Sequence, residues 1–302
     1  MNPDFIKKMD SKIDQISSFP VINGYYLVIG GGKIGTRFVE HARKSRLPFV
    51  LVIDIDCEAL VSGNVTVLKD RWHLVDVLDS LTASGKSDDC YVSCKGPSIH
   101  GCNIFFYCMD SKEIPYLLNH GMPEYIIPAV PTHAAVDIVE DLLNFQNERA
   151  FIRKVCIDED DEDSMQLFKN IVSFFPDNIV AGKFPEHGTI FLSYARPGEI
   201  CPGNCKGQEG YCYTFTRIKP ITITSYVLEL SGSEAGWVFE SCQMAPGIGG
   251  IRGRDLRENL IAIMKHIRRI KGEPSIHGTG ERSFFIATTC NCHGILNILQ
   301  IV

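Results

Sequence analysis

The chain has 302 residues, too many for one small domain, and 45% of its side chains are hydrophobic, enough for two cores. Its formal net charge of −6 argues against a nucleic-acid or anionic-membrane binder, because such proteins carry a basic excess. No run approaches the ~20 apolar residues that span a bilayer, and the N-terminus lacks the unbroken apolar core of a signal peptide, so no membrane insertion and a cytoplasmic location are expected.

Residues 1–20 predict a short amphipathic helix built on Phe5, Ile6, Met9, Ile13 and Ile16. Residues 21–147 then alternate short apolar strands, at 25–29, 49–53, 65–68, 104–108 and 125–127, with helical stretches through about 45 and at 75–81, 112–119 and 133–143. That alternation is the pattern of a parallel sheet covered on both faces. A boundary falls near 147–152, followed by an acidic run from Asp158 to Asp163. The run reads as a solvated loop entering a helix at Ser164, since it lacks the glycine turn and spaced ligands of a calcium loop. Residues 151–302 predict strands at 189–194, 221–228, 237–240 and 284–287, with a short helical stretch after Gly294. The clearest amphipathic helix is 256–270, where Leu256, Leu260, Ile263 and Ile267 recur at helical spacing. The expected fold class is α/β: a Rossmann-type parallel sheet followed by a second α/β domain carrying a cysteine-rich loop.

The segment Gly30-Gly31-Gly32-Lys33-Ile34-Gly35 matches G-x-G-x-x-G and lies between a predicted strand and a predicted helix. In such a turn Gly30 bends the chain, Gly32 lets a pyrophosphate approach the backbone, and Gly35 allows close helix–strand packing. The N–H groups at the start of the helix, from Lys33 and Ile34 onward, present partial positive charge to the phosphates. Asp54 ends the second strand 19 residues after Gly35, where an acidic ribose ligand is expected. Its carboxylate accepts hydrogen bonds from ribose hydroxyls and repels a 2′-phosphate, so NAD(H) or a plain adenine nucleotide is favoured over NADP(H). The competing reading is a glycine-rich turn of an unrelated α/β domain.

Residues 25–60, with these glycines and Val52-Ile53-Asp54-Ile55-Asp56, resemble the TrkA-N (RCK N-terminal) domains of potassium-transport regulators. Residues 117–142 are similar to the end of that domain, with Gly121 and Pro128 flanking a short strand. The resemblance implies NAD(H) or adenine-nucleotide binding through the glycines and Asp54. It departs at Cys90–Cys102, and the C-terminal half does not resemble the small regulatory domain of that family.

There are 12 cysteines. In a reducing compartment no disulfide framework is expected, and Cys57, Cys108 and Cys156 read as small core residues. Cys201, Cys205 and Cys212 lie in a glycine-rich loop, and Cys290 and Cys292 in a distant turn beside His293. Loops at strand ends gather on one edge of an α/β sheet, so the two segments can supply the ligands of an iron–sulfur cluster or, alternatively, of tetrahedral zinc. The other reading is a surface loop of free thiols. Cys90, Cys94 and Cys102, near His100, fit no strong ligand template. The glycines of 246–253, with Arg252 and Arg254, form either an anion nest or a plain corner before a helix capped by Asp255. His133 either reaches a bound nicotinamide or belongs to the start of a helix.

Together these features predict an NAD(H)-binding protein, an oxidoreductase with an iron–sulfur or zinc site. The alternative is a non-catalytic NAD(H) and redox sensor. Expected partners are a small-molecule substrate or a redox partner protein, with no nucleic acid; a homo-oligomer is compatible with the sequence.

Overall fold

A computed structural model describes residues 3–83, 103–144, 150–155, 162–272 and 282–302. The protein is mixed α/β. In chain order its helices and strands begin with α1 (Pro3–Ser17), β1 (Val21–Ile29), α2 (Lys33–Ser45), β2 (Phe49–Asp54) and β3 (Thr66–Val67). Next come α3 (Arg71–Ala83), β4 (Asn103–Cys108), α4 (Ile114–Leu118), β5 (Met122–Pro128), α5 (Ala134–Asn144), β6 (Ile152–Lys154) and α6 (Glu162–Phe174). Then follow β7 (Val180–Phe184), β8 (Thr189–Ser193), β9 (Tyr211–Cys212), β10 (Arg217–Ile218) and α7 (Ile223–Leu230). The last are β11 (Gly236–Ala245), β12 (Ile248–Arg252), α8 (Gly253–Gly272), β13 (Ser283–Thr289) and β14 (His293–Ile301). Among the described residues no helix is long and apolar enough to cross a membrane.

The chain forms two compact units. The N-terminal unit comprises 14–134 and 248–258; the C-terminal unit comprises 1–13, 135–247 and 259–302.

In the N-terminal unit the strand order is β3-β4-β2-β1-β5-β12. The first five strands are parallel and β12 is antiparallel to β5. Leu27, Val28, Val50, Leu51 and Val52 are wholly buried, which is why β2 reads as an unbroken apolar run rather than an alternating one. The register aligns the carboxyl ends of the strands: Ile29 faces Ile53 and Pro128, and Asp54 faces Cys108. The chain adds β2 and β4 on one side of β1, then returns to place β5 on the other. Strand addition therefore reverses direction at β1, and parallel α/β sheets bind ligands at the carboxyl edge beside such a reversal. Helix α2 covers this sheet with Phe38, Val39 and Ala42, all buried.

The C-terminal unit has the order β11-β13-β14-β8-β7, with β6 on β14. Only β11 and β13 run parallel; the other pairs are antiparallel. Phe168, Ile171 and Phe175 pack with Ile223, Val227 and Leu230 against Phe285, Ala287, Leu296 and Ile298 of the sheet.

Three expectations for residues 221–301 are corrected. Residues 221–228 are not a strand: α7 is capped by Thr222, whose side-chain oxygen accepts the Ser225 N–H at 3.0 Å. Ile223, Val227 and Leu230 are buried at helical spacing, and this packing overrides the β-branched run 221–224. The stretch after Gly294 is strand β14, hydrogen-bonded on both edges, by β13 and β8. Residues 248–252, expected in a glycine loop, are strand β12.

Candidate functional site

Every element of the glycine motif lies at the carboxyl edge of the N-terminal sheet. Gly30 has φ +107, and a Cβ there would meet the Ala129 carbonyl oxygen at 2.7 Å. A Cβ on Gly35 would stand 2.0 Å from the Gly30 oxygen, so α2 lies against the turn as closely as a glycine permits. A Cβ on Gly31 would press on Ala59 and Val61 at 2.8 and 2.9 Å. Gly32 differs from all three. It is the N-cap of α2, its φ of −73° suits any residue, and a Cβ there would meet nothing within 4 Å. Gly32, Lys33 and Ile34 are exposed at the N-terminus of α2, where the helix dipole leaves partial positive charge.

Asp54 stands beside this turn. Its Oδ2 accepts the Gly31 N–H at 2.6 Å and its Oδ1 accepts the Asp56 N–H at 2.9 Å. The carboxylate thus sets the glycine turn, and with about four lone-pair sites it retains acceptor capacity for a ribose hydroxyl. His133 is buried just before α5.

Cys57 and Cys108 are not small core residues; they form a disulfide with Cα atoms 4.8 Å apart. The pairing follows from the register: Cys108 faces Asp54 at the end of β4, and the chain reaches Cys57 three residues after Asp54. Cys57 is exposed, so the bridge lies at the surface beside the glycine turn. Cys90, Cys94, His100, Cys102, Cys156 and the start of the acidic run lie outside the described residues.

In the C-terminal unit, Cys205, Cys212 and Cys292 line one cavity of about 270 Å³ together with Lys219. Cys201 lies near enough to Cys205, Cys212 and Cys292 to interact electrostatically with all three. The loop is held by identifiable contacts. Arg217 makes a two-pronged ion pair with Glu199, at 2.9 and 2.8 Å, and also donates to the Tyr194 carbonyl. Gln243 and the Gly247 N–H both donate to the Cys205 carbonyl, at 2.8 and 3.0 Å. A Cβ on Gly247 would stand 2.1 Å from the Gly203 oxygen, so this glycine buttresses the cysteine loop. The turn between β13 and β14 joins from the other side, with Asn291 Nδ2 donating to the Gly207 carbonyl at 2.9 Å.

Three of the five cysteines singled out in the sequence thus line one cavity, and Cys201 lies near them. The fifth, Cys290, lies beside His293, with its Sγ 3.9 Å from Nδ1. Among the described residues no three His, Cys, Asp or Glu side chains stand already closed into a metal-holding group. Burial pushes the Cys201 thiol up to about 12, and Cys205, Cys292 and Cys212 add to the rise. Burial also raises Cys292, opposed by Lys219. Burial, reinforced by Lys219, holds His293 below the ordinary imidazole range.

Sequence reasoning missed Lys219. Its side chain is 3% exposed, and its Nζ donates to Cys292 Sγ at 3.0 Å and to the Gln208 carbonyl. No local pattern marks it, because its partner lies 73 residues away.

Residues 136–302 match the family AF_1314_C, described as the C-terminal domain of an uncharacterized protein. An uncharacterized protein of Archaeoglobus fulgidus is 24% identical over 276 residues, covering 91% of this chain and 98% of its own length.

Proposed function

We propose that this chain, which belongs to the AF_1314_C family, binds NAD(H) through a Rossmann-type module in its N-terminal unit and is an NAD(H)-dependent oxidoreductase. One observation carries the reading. Gly30, Gly31 and Gly35 are required by the protein's own packing, whereas Gly32 has open space where its side chain would stand. An N-cap is filled equally well by Ser, Thr, Asp, Asn or glycine, so the fold admits glycine at this position without requiring it. A pyrophosphate drawn close to the α2 N-terminus does call for it.

The strand order around β1, the aligned carboxyl ends and the resemblance to TrkA-N domains support the same assignment. Asp54 would accept the adenosine ribose hydroxyls and disfavour a 2′-phosphate. The bound nicotinamide supplies two-electron hydride chemistry; the protein's part is to hold the dinucleotide and orient it towards a small-molecule substrate or a redox partner protein. The test is NADH titration followed by an oxidation assay with a panel of electron acceptors. Saturable binding with turnover supports the oxidoreductase, and absence of binding refutes the module.

A second reading is favoured by the Cys57–Cys108 disulfide. It ties the loop after Asp54 to the end of β4, at the edge where the ribose would sit. In that reading the chain is a non-catalytic sensor whose nucleotide affinity follows the thiol–disulfide state. Binding that changes on reduction, without NADH consumption, selects it.

A further inference from the structure

We propose that Cys201, Cys205, Cys212 and Cys292 hold a thiolate-bound metal centre, zinc or an iron–sulfur cluster, with Lys219 as its buried counter-charge and Cys290 outside the ligand set. The proposal concerns the C-terminal unit alone and stands whether or not the N-terminal unit binds a nucleotide.

Three observations support it. Thiols from two segments about 80 residues apart share one cavity or its rim, although nothing about a glycine-rich loop requires them to meet. Cys205 Sγ accepts the Gly207 N–H at 3.4 Å. An amide pointed at sulfur stabilises a thiolate and tunes a sulfur-bound centre. Lys219 is the third. Its side chain is 3% exposed, and among the described residues its partners are a carbonyl oxygen and Cys292 Sγ rather than a carboxylate. A buried ammonium needs an anion, and a metal-thiolate centre supplies one. For one divalent zinc, four thiols release four protons to solvent and the centre carries a formal charge of −2, partly offset by Lys219. A four-iron, four-sulfide cluster assembled from two ferrous and two ferric ions would sit on the same four sulfurs, again with four thiol protons released to solvent and a formal charge of −2.

Among the described residues the thiols are not closed into a ligand group. Closure requires movement of the loop, whose glycines Gly207 and Gly210 have φ of +57° and +72°.

The experiment is zinc, iron and acid-labile sulfide analysis of the full chain purified anaerobically, and again after reconstitution with zinc or with a mixture of ferrous and ferric iron and sulfide. Stoichiometric zinc, or iron and sulfide in equal amounts, supports the centre and identifies its kind. Neither metal after reconstitution overturns it. Cys212→Ser and Cys292→Ser discharge the metal, while Cys290→Ser retains it; the reverse pattern overturns the ligand assignment. Cobalt titration of the metal-free wild type guards against misfolded variants: thiolate-to-cobalt absorption bands are expected, and their absence counts against the site. Lys219→Met lowers metal affinity about 10–100-fold, the range for a group hydrogen-bonded to a ligand.

Discussion

Alanine at Gly32 and at Gly35 separates ligand space from packing space. A methyl group at Gly35 would stand 2.0 Å from the Gly30 oxygen, well inside any real contact, so α2 or the turn must shift. Overpacking of this kind costs about 1–3 kcal/mol, equivalent to a fall of roughly 3–10 °C in the transition temperature of the unit. At Gly32 the same methyl meets nothing within 4 Å. Its cost to the fold is the difference between glycine and alanine as an N-cap, about 0.5–1 kcal/mol. In the nucleotide complex that methyl occupies the space of the pyrophosphate, and NADH affinity falls at least tenfold, about 1.4 kcal/mol. Thermal melts with and without NADH read both effects, because a ligand that binds only the native state raises the transition temperature. Gly35→Ala should lower the melt without ligand. Gly32→Ala should nearly keep that melt and lose the NADH shift. A Gly32→Ala protein with an unchanged NADH shift would refute the reasoning.

Three further predictions follow from other parts of the molecule. The Cys57–Cys108 bridge spans a sequence separation of 51 residues, which in the chain-entropy treatment stabilises by up to about 4 kcal/mol. Dithiothreitol should therefore lower the melt of wild type but not of Cys57→Ser, and equal responses would count against the bridge. Burial, with Lys8 nearby, lowers the Lys12 amine from 10.5 to about 8, although it donates to the Leu142 and Leu143 carbonyls at 3.3 and 2.9 Å. The unfolded chain holds that proton more tightly, so the penalty is full below pH 8 and fades between 8 and 10.5. The stability deficit of wild type relative to Lys12→Met should thus shrink over that window, and a constant difference would contradict it. Arg217→Ala removes the clamp on Glu199 and Tyr194, so limited proteolysis should cut the loop after Arg196 faster while the rest of the chain resists; unchanged cleavage would show that other contacts hold the loop.

The parts of the fold legible in the sequence are those whose packing leaves a one-dimensional trace. The buried stripe of α8 recurs at helical spacing through Leu256, Leu260, Ile263 and Ile267, and the fully buried β2 gives an unbroken apolar run. The run in β14 is interrupted by Asn297 and Gln300 and is too short for its period to separate strand from helix, so its pairing with β13 and β8 decides. In 221–224 alternating Ile and Thr imitate a strand, while the Thr222 cap and the buried face of α7 make a helix. Glycine is ambiguous in the same way. Gly253 resembles part of an anion nest, but a Cβ there would stand 1.8 Å from the Pro123 oxygen, so close packing accounts for it. Lys219 and the Cys57–Cys108 bridge leave no local trace, because each is defined by a partner far along the chain.

Calorimetric titration of the full chain with NADH, and in parallel with NADPH, tests the central claim most directly. The account predicts saturable binding of about one NADH per chain, with NADPH at least tenfold weaker because its 2′-phosphate meets the Asp54 carboxylate. No saturable heat with NADH, or equal affinity for NADPH, would contradict it.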